Sequence, residues 1–155
     1  MCSVLLAGSG RLQYVATMSA EQLLAIHPIV GARDLERAIA FYVERLGFEL
    51  AFDDGNRPRN YVGLRRDRIV LHFQFQYEHE MATIRLRFDV ADPDSLLREF
   101  QARGAFTDSA APGGEADAAR VALSQPLADK PWGTREFGFR DPEGNVLIFC
   151  RDLPR

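Results

Sequence analysis

One interval occurs twice in this chain, and it restricts the fold more than any single residue does. His27 stands seven residues before Asp34, and Arg85 stands seven residues before Asp92. Each aspartate opens a stretch of helical period, and each stretch closes on a glycine, Gly47 in the first copy and Gly104 in the second. In the first copy Leu35, Ala38, Ile39, Tyr42 and Leu46 fall on one helix face. Asp34 suits an N-cap, whose side chain accepts from the free N–H groups of the first turn, and Gly47 suits the left-handed position past the end. The spacing therefore predicts a helix from Asp34 to Leu46. The second copy has Asp92 as cap, Pro93 as first helical residue and Leu96, Leu97 and Phe100 as its stripe.

Strand patterns surround both helices. The first copy offers His27–Ala32, Phe48–Phe52, Tyr61–Leu64 and Ile69–Gln76, separated by polar turns. The second offers Thr83–Val90, Arg135–Arg140 and Asn145–Arg151, the last two split by Asp141-Pro142-Glu143-Gly144. One strand of the second copy is expected within the polar stretch 105–134, and residues 107–119 lack any period and are expected to form a loop. The chain thus reads as an α+β protein of two βαβββ modules, about 23–78 and 82–152. They form a curved mixed sheet with helices on one side. Residues 23–155 make a single domain and 1–22 an N-terminal extension, within which Met18 is an alternative start to Met1.

Alternation in the strands separates an apolar face from a polar one. Leu71, Phe73 and Phe75 oppose Val70, His72, Gln74 and Gln76; Leu86, Phe88 and Val90 oppose Arg85, Arg87 and Asp89; Phe137 and Phe139 oppose Glu136, Gly138 and Arg140. The apolar face suits the helices, and the polar face suits a ligand cleft. His72 on that face is open to three roles: ligand contact, structural hydrogen bonding or general base. Arg85 and Arg87 can pair with Asp89 or Glu136, or meet a carboxylate or phosphate.

Composition narrows the chemistry. Three histidines (His27, His72, His79) and two cysteines (Cys2, Cys150) are present, with no CxxC pair, so a zinc ribbon, a dithiol redox centre and a disulfide scaffold are disfavoured. Cys150, in the last strand, reads as a small buried apolar residue. A net charge of −3 argues against nucleic acid as partner. No window approaches the ~20 apolar residues of a membrane span, and the chain reads as cytoplasmic. Arg57, Arg59, Arg65, Arg66 and Arg68 crowd one stretch, but Asp53, Asp54 and Asp67 are interleaved with them and the run reads as a solvated hairpin.

The residues His27 to Leu35, Ala38-Ile39-Ala40-Phe41-Tyr42 and Leu46-Gly47-Phe48 resemble the opening module of the vicinal oxygen chelate superfamily, which spans glyoxalases, bleomycin-resistance proteins and extradiol dioxygenases. Pro131-Trp132-Gly133-Thr134-Arg135-Glu136-Phe137, running into Arg140-Asp141-Pro142-Glu143-Gly144-Asn145, is similar to its bleomycin-resistance branch. The resemblance covers about residues 25–152. It implies a strand-swapped homodimer whose clefts sequester a small or medium-sized ligand, such as an antibiotic or related metabolite, without chemistry. Enzymes of the superfamily hold a divalent metal at four strand positions, which here fall on His27, His72, Arg85 and Ile148. Only His27 and His72 are able to ligate, since a guanidinium has no lone pair to give. No cofactor is expected, and a metal-dependent glyoxalase- or dioxygenase-type enzyme with a reduced ligand set is the alternative. The expected ligand-binding residues are Phe52, His72, Gln74, Arg85, Arg87, Trp132 and Glu136. Phe52 and Trp132 match wall aromatics of the branch, with core or lid packing as their competing roles.

Overall fold

A computed structural model describes residues 24–107 and 120–154. The expected N-terminal extension, with Cys2 and Met18, and nearly all of the expected loop at 107–119 lie outside the described residues. The element order is β1 (Ile29–Ala32), α1 (Leu35–Ala40), a π-helical turn (Phe41–Arg45), β2 (Glu49–Asp53), β3 (Tyr61–Arg66) and β4 (Ile69–Phe75), then β5 (Arg85–Asp89), α2 (Pro93–Ala102), β6 (Gln125–Asp129), β7 (Thr134–Arg140) and β8 (Val146–Asp152). Both expected caps form: Asp34 accepts from the Arg37 amide, and Asp92 from the Asp94 amide. The strand expected within 105–134 is β6.

The curved mixed sheet is realised as two four-stranded ladders, one per module, ordered β1-β4-β3-β2 and β5-β8-β7-β6. In each, the first strand runs parallel to the last and the other pairs are antiparallel. β1 pairs with β4 of its own chain. The registers superpose the modules residue by residue. The row Ile29–His72–Gly63–Phe52 in the first corresponds to Arg87–Ile148–Gly138–Gln125 in the second. The next row, Gly31–Gln74–Tyr61, corresponds to Asp89–Cys150–Glu136.

The expected first helix departs from α geometry at Phe41, where the Leu46 amide reaches back five residues to the Phe41 carbonyl. The wider turn lets Phe41 and Tyr42, neighbours in sequence, both face the core with Leu46; all three are fully buried. Phe41 meets Phe139 edge-on at 6.3 Å, so the first helix packs against the second sheet. Phe100 of α2 packs on Phe137, Phe139 and Phe149, and the core is continuous across both modules.

Polar contacts at the β7–β8 turn join the modules. Asp141, buried, accepts from the Glu143 and Asn145 amides, from Asn145 Nδ2 and from Tyr42 Oη at 3.0 Å. Asn145 accepts the Ile84 amide and donates towards the Gly31 carbonyl. Glu143 receives the backbone and side chain of Arg33 and the guanidinium of Arg37. Burial works to raise the Glu143 carboxyl, and these donors outweigh it, holding the group below its usual range.

Two outcomes follow for stability. Asp141→Ala strands four buried donors, and denaturant unfolding is expected to show a loss of about 3 kcal/mol or more. Glu143, with its lowered value, stabilises the fold above the ordinary carboxylate value of about 4.3, and that stability disappears as pH falls through the folded value. Unfolding free energy measured from pH 7 to pH 3 is expected to fall less steeply in Glu143→Gln than in the unaltered protein.

Candidate functional site

The helices cover one side of each sheet, and the side chains on the other side form two groups of contrasting chemistry. On the first sheet the group centres on His72. Tyr61 Oη lies 2.7 Å from His72 Nδ1, the Phe52 ring meets the imidazole edge-on at 5.2 Å, and the His27 ring stacks on it at 4.9 Å. Phe52 reaches this position because Gly63 has no side chain: a Cβ there would come within 2.1 Å of the Phe52 ring. Phe52 remains 42% exposed and is no core residue. Gln74 is exposed on the same face, paired with Tyr61 across the ladder.

Burial, and second the charge of His27, push the His72 imidazole below its usual value, so it is neutral at pH 7. Tyr61 Oη and His72 Nδ1 share one hydrogen bond, whose donor is set by the imidazole tautomer. Tyr61 was not singled out by sequence. Its pairing with the face became visible only from the β3–β4 register, which alternation within one strand does not supply.

On the second sheet the group centres on Glu136, whose side chain is 4% exposed. Its Oε2 accepts from Arg87 Nη1 at 3.0 Å and from Thr134 Oγ1 at 2.9 Å, with Trp132 Nε1 at 3.5 Å. Burial raises this carboxyl, but the bonds from Thr134, Arg87 and Trp132 prevail and it sits below its usual range. Trp132 itself is 67% exposed, so core packing is not its role. Cys150 lies between Asp89 and Glu136 on the ladder; burial first, then its hydrogen bond to Asp89, pushes its thiol up to about 11. It is a buried thiol with no nucleophilic character at neutral pH. Arg85 is exposed on β5 and, unlike Arg87, forms no ion pair among the described residues.

The structure thus brings Phe52 and His72 together with Tyr61 and His27, and brings Arg87, Trp132 and Glu136 together. Arg85 and Gln74 stand on these faces without joining either set of contacts. Of the hairpin arginines, Arg57 and Arg59 pair with the interleaved Asp53, while Arg59 also reaches Glu36 and Arg65 and Arg66 pair with Glu49 and Glu99, which lie outside the run.

The donor set does not fit the divalent metal of the superfamily's enzymes. Among the described residues no three His, Cys, Asp or Glu side chains are grouped to hold an ion. The His27 and His72 rings are stacked 7° from parallel, so their lone pairs run in nearly parallel planes and do not converge on one point. Arg85 and Ile148 occupy the remaining two positions and supply no lone pair.

A family model described as Glyoxalase/Bleomycin resistance protein/Dioxygenase superfamily matches residues 25–149. The bleomycin-binding protein of bleomycin-producing Streptomyces verticillus, solved with copper(II)-bleomycin, is 33% identical, covering 88% of this chain and all of that one at a TM-score of 0.64. The bleomycin resistance determinant encoded on transposon Tn5 is 22% identical over 83% of this chain and 97% of that one, with a TM-score of 0.63. TioX from Micromonospora sp. ML1 is 24% identical over 83% and 100%, with a TM-score of 0.61. No curated protein matches the chain.

The His72 environment is testable by itself. Proton NMR titration is expected to show His72 ionising below the ordinary histidine value of about 6.5. Replacing His27 with alanine removes the neighbouring charge and is expected to move that midpoint upward.

Proposed function

The chain belongs to the Glyoxalase/Bleomycin resistance protein/Dioxygenase superfamily, and we propose that within it the chain is a binding protein that sequesters a bleomycin-like ligand without altering it. The observation that carries this reading is the pair of exposed aromatic rings, Phe52 and Trp132, each held in place on a sheet face that no helix covers. Exposed, positioned aromatics offer stacking surface at little entropic cost to a flat heteroaromatic ligand. The Streptomyces verticillus relative is a bleomycin-binding protein by its name, which supports the same ligand class here. Arg87, Glu136, His72 and Gln74 supply polar contacts around the rings, and the protein brings no metal or other cofactor of its own.

A second copy completes the site in this reading. Leu24, Ile26 and Ile29 are 82%, 88% and 49% exposed at and just before an edge strand of four residues. Such an apolar edge favours pairing with another chain, and exchange of β1 between two copies would cover it. No helix among the described residues is long and apolar enough to cross a membrane. The reading assigns the protein to the cytoplasm on the sequence grounds given above.

Trp132 is the single tryptophan of the chain, so its fluorescence reports the site. Titration with bleomycin is expected to change that emission saturably, with the protein running as a dimer on gel filtration. Phe52→Ala is expected to weaken binding roughly fivefold, the loss of about 1 kcal/mol of ring contact. An unaltered affinity in Phe52→Ala, or no saturable change in the unaltered protein, contradicts the proposal.

A further inference from the structure

The outer face of the second sheet is graded in charge along its strands, and the ladder registers make the grading exact to the residue. Asp89, Cys150 and Glu136 form one row across β5, β8 and β7. Arg85, Val146 and Arg140 form another row across the same three strands. Four residues separate the rows, about 13 Å at the usual rise of a strand. One end of the face, beside Trp132, is therefore acidic, and the other is basic.

Each end has an unfinished bonding set. At the acidic end all three protein donors converge on Glu136 Oε2. Oε1 accepts no hydrogen bond from the described residues and is not sealed from solvent. A carboxylate this deeply set, with one open oxygen, gains from any donor brought to it. At the basic end, among the described residues, Arg85 has no ion-pair partner and Arg140 donates only to the Gly144 carbonyl. On the strands Arg65, Arg66, Arg87 and Arg135 are bound to carboxylates, while Arg151 at the end of β8 donates to the Ala91 carbonyl. Arg85 and Arg140 flank Val146 with one strand between them, a spacing of about 10 Å that two long side chains bridge readily. Arg87, between the rows, is already engaged by Glu136 and leaves both ends available.

We propose that this face recognises an elongated zwitterion, with a nitrogen cation against Glu136 and Asp89 beside Trp132, and a carboxylate between Arg85 and Arg140. The inference rests on the reading of the outer sheet faces as the ligand surface, and it adds the ligand's charge pattern and direction. Trp132 turns the N–H edge of its ring towards Glu136 Oε2 at 3.5 Å and so marks the acidic end with an exposed aromatic side chain. Ile148 and Gly138, in the row of Arg87, lie between the two ends. A fully extended peptide of four residues, at 3.3–3.6 Å each, has about the required separation between its termini.

Tetraalanine with free termini is a direct probe, compared with its N-acetylated and C-amidated forms. The lone Trp132 gives one indole N–H signal, whose shift reports binding. Free tetraalanine is expected to bind, and blocking either terminus is expected to weaken it about tenfold, the scale of one charge-assisted bond. Glu136→Gln is expected to abolish the penalty for acetylation only, and Arg85→Ala the penalty for amidation only. Glu136→Asp keeps the charge and is expected to retain the acetylation penalty, which separates recognition from general loss of structure in Glu136→Gln. Equal affinity for all three peptides, or no saturating shift with any of them at about 10 mM, overturns the inference. If bleomycin still alters Trp132 emission in that case, the binding reading stands and the zwitterion is removed; if it does not, both fall.

Discussion

The buried carboxylate of Asp141 is the contact on which the rest of the structure depends. Its two oxygens close the β7–β8 turn onto the Glu143 and Asn145 amides, and one of them reaches Tyr42 in the first module. Burial pushes this carboxyl up, against the pull of its donors, so an uncompensated loss of any partner is costly. The same turn delivers Asn145 to the start of β5 and Glu143 to Arg33 and Arg37. It therefore sets where β8 begins, and with it the register that places Cys150 beside Glu136 and Ile148 beside Arg87. A polar turn fixes the geometry of a face several residues away.

The two modules keep one backbone plan and use it for different chemistry. Gly63 and Gly138 are equivalent, and each leaves room for a side chain from the neighbouring strand, Phe52 in one module and Gln125 in the other. Tyr61 and Glu136 are equivalent, one sharing a hydrogen bond with His72 and the other offering a carboxylate to Arg87, Thr134 and Trp132. His27 and Arg85 are equivalent, as are His72 and Ile148. The positions from which a metal could be chelated thus carry two stacked imidazoles, a guanidinium and an aliphatic chain. This set suits contacts to a ligand's rings and charges better than it suits coordination.

Much of this plan was legible in the sequence because it rests on local rules. Asp34 and Asp92 cap helices by side-chain hydrogen bonds to their own first turns, and the seven-residue interval repeated before each cap exposed the duplication. Strand alternation placed His72, Arg87 and Glu136 on the open face. The parts that escaped depend on contacts far apart in the chain. β6 lacks alternation, since its Gln125-Pro126-Leu127-Ala128-Asp129 sequence bends at a register shift between Gln125 and Ala128. The π-helical turn at Phe41 leaves the helical stripe of the sequence intact and is imposed by burying Phe41 and Tyr42 together. Tyr61 and the grading of the second face needed strand registers, which no single strand encodes. Arg85 and Arg87 look alike in sequence, and only the structure shows that Arg87 is paired with Glu136 while Arg85 has no ion pair among the described residues.

Binding without chemistry is the central claim, and recovery of the ligand tests it most directly. The protein is incubated with a molar excess of bleomycin, separated from free ligand, denatured, and the released ligand weighed by mass spectrometry. The account predicts a fixed ratio of ligand to protein that does not grow with time, and a released mass identical to that of the starting compound. A product of altered mass that accumulates beyond the amount of protein present would contradict it.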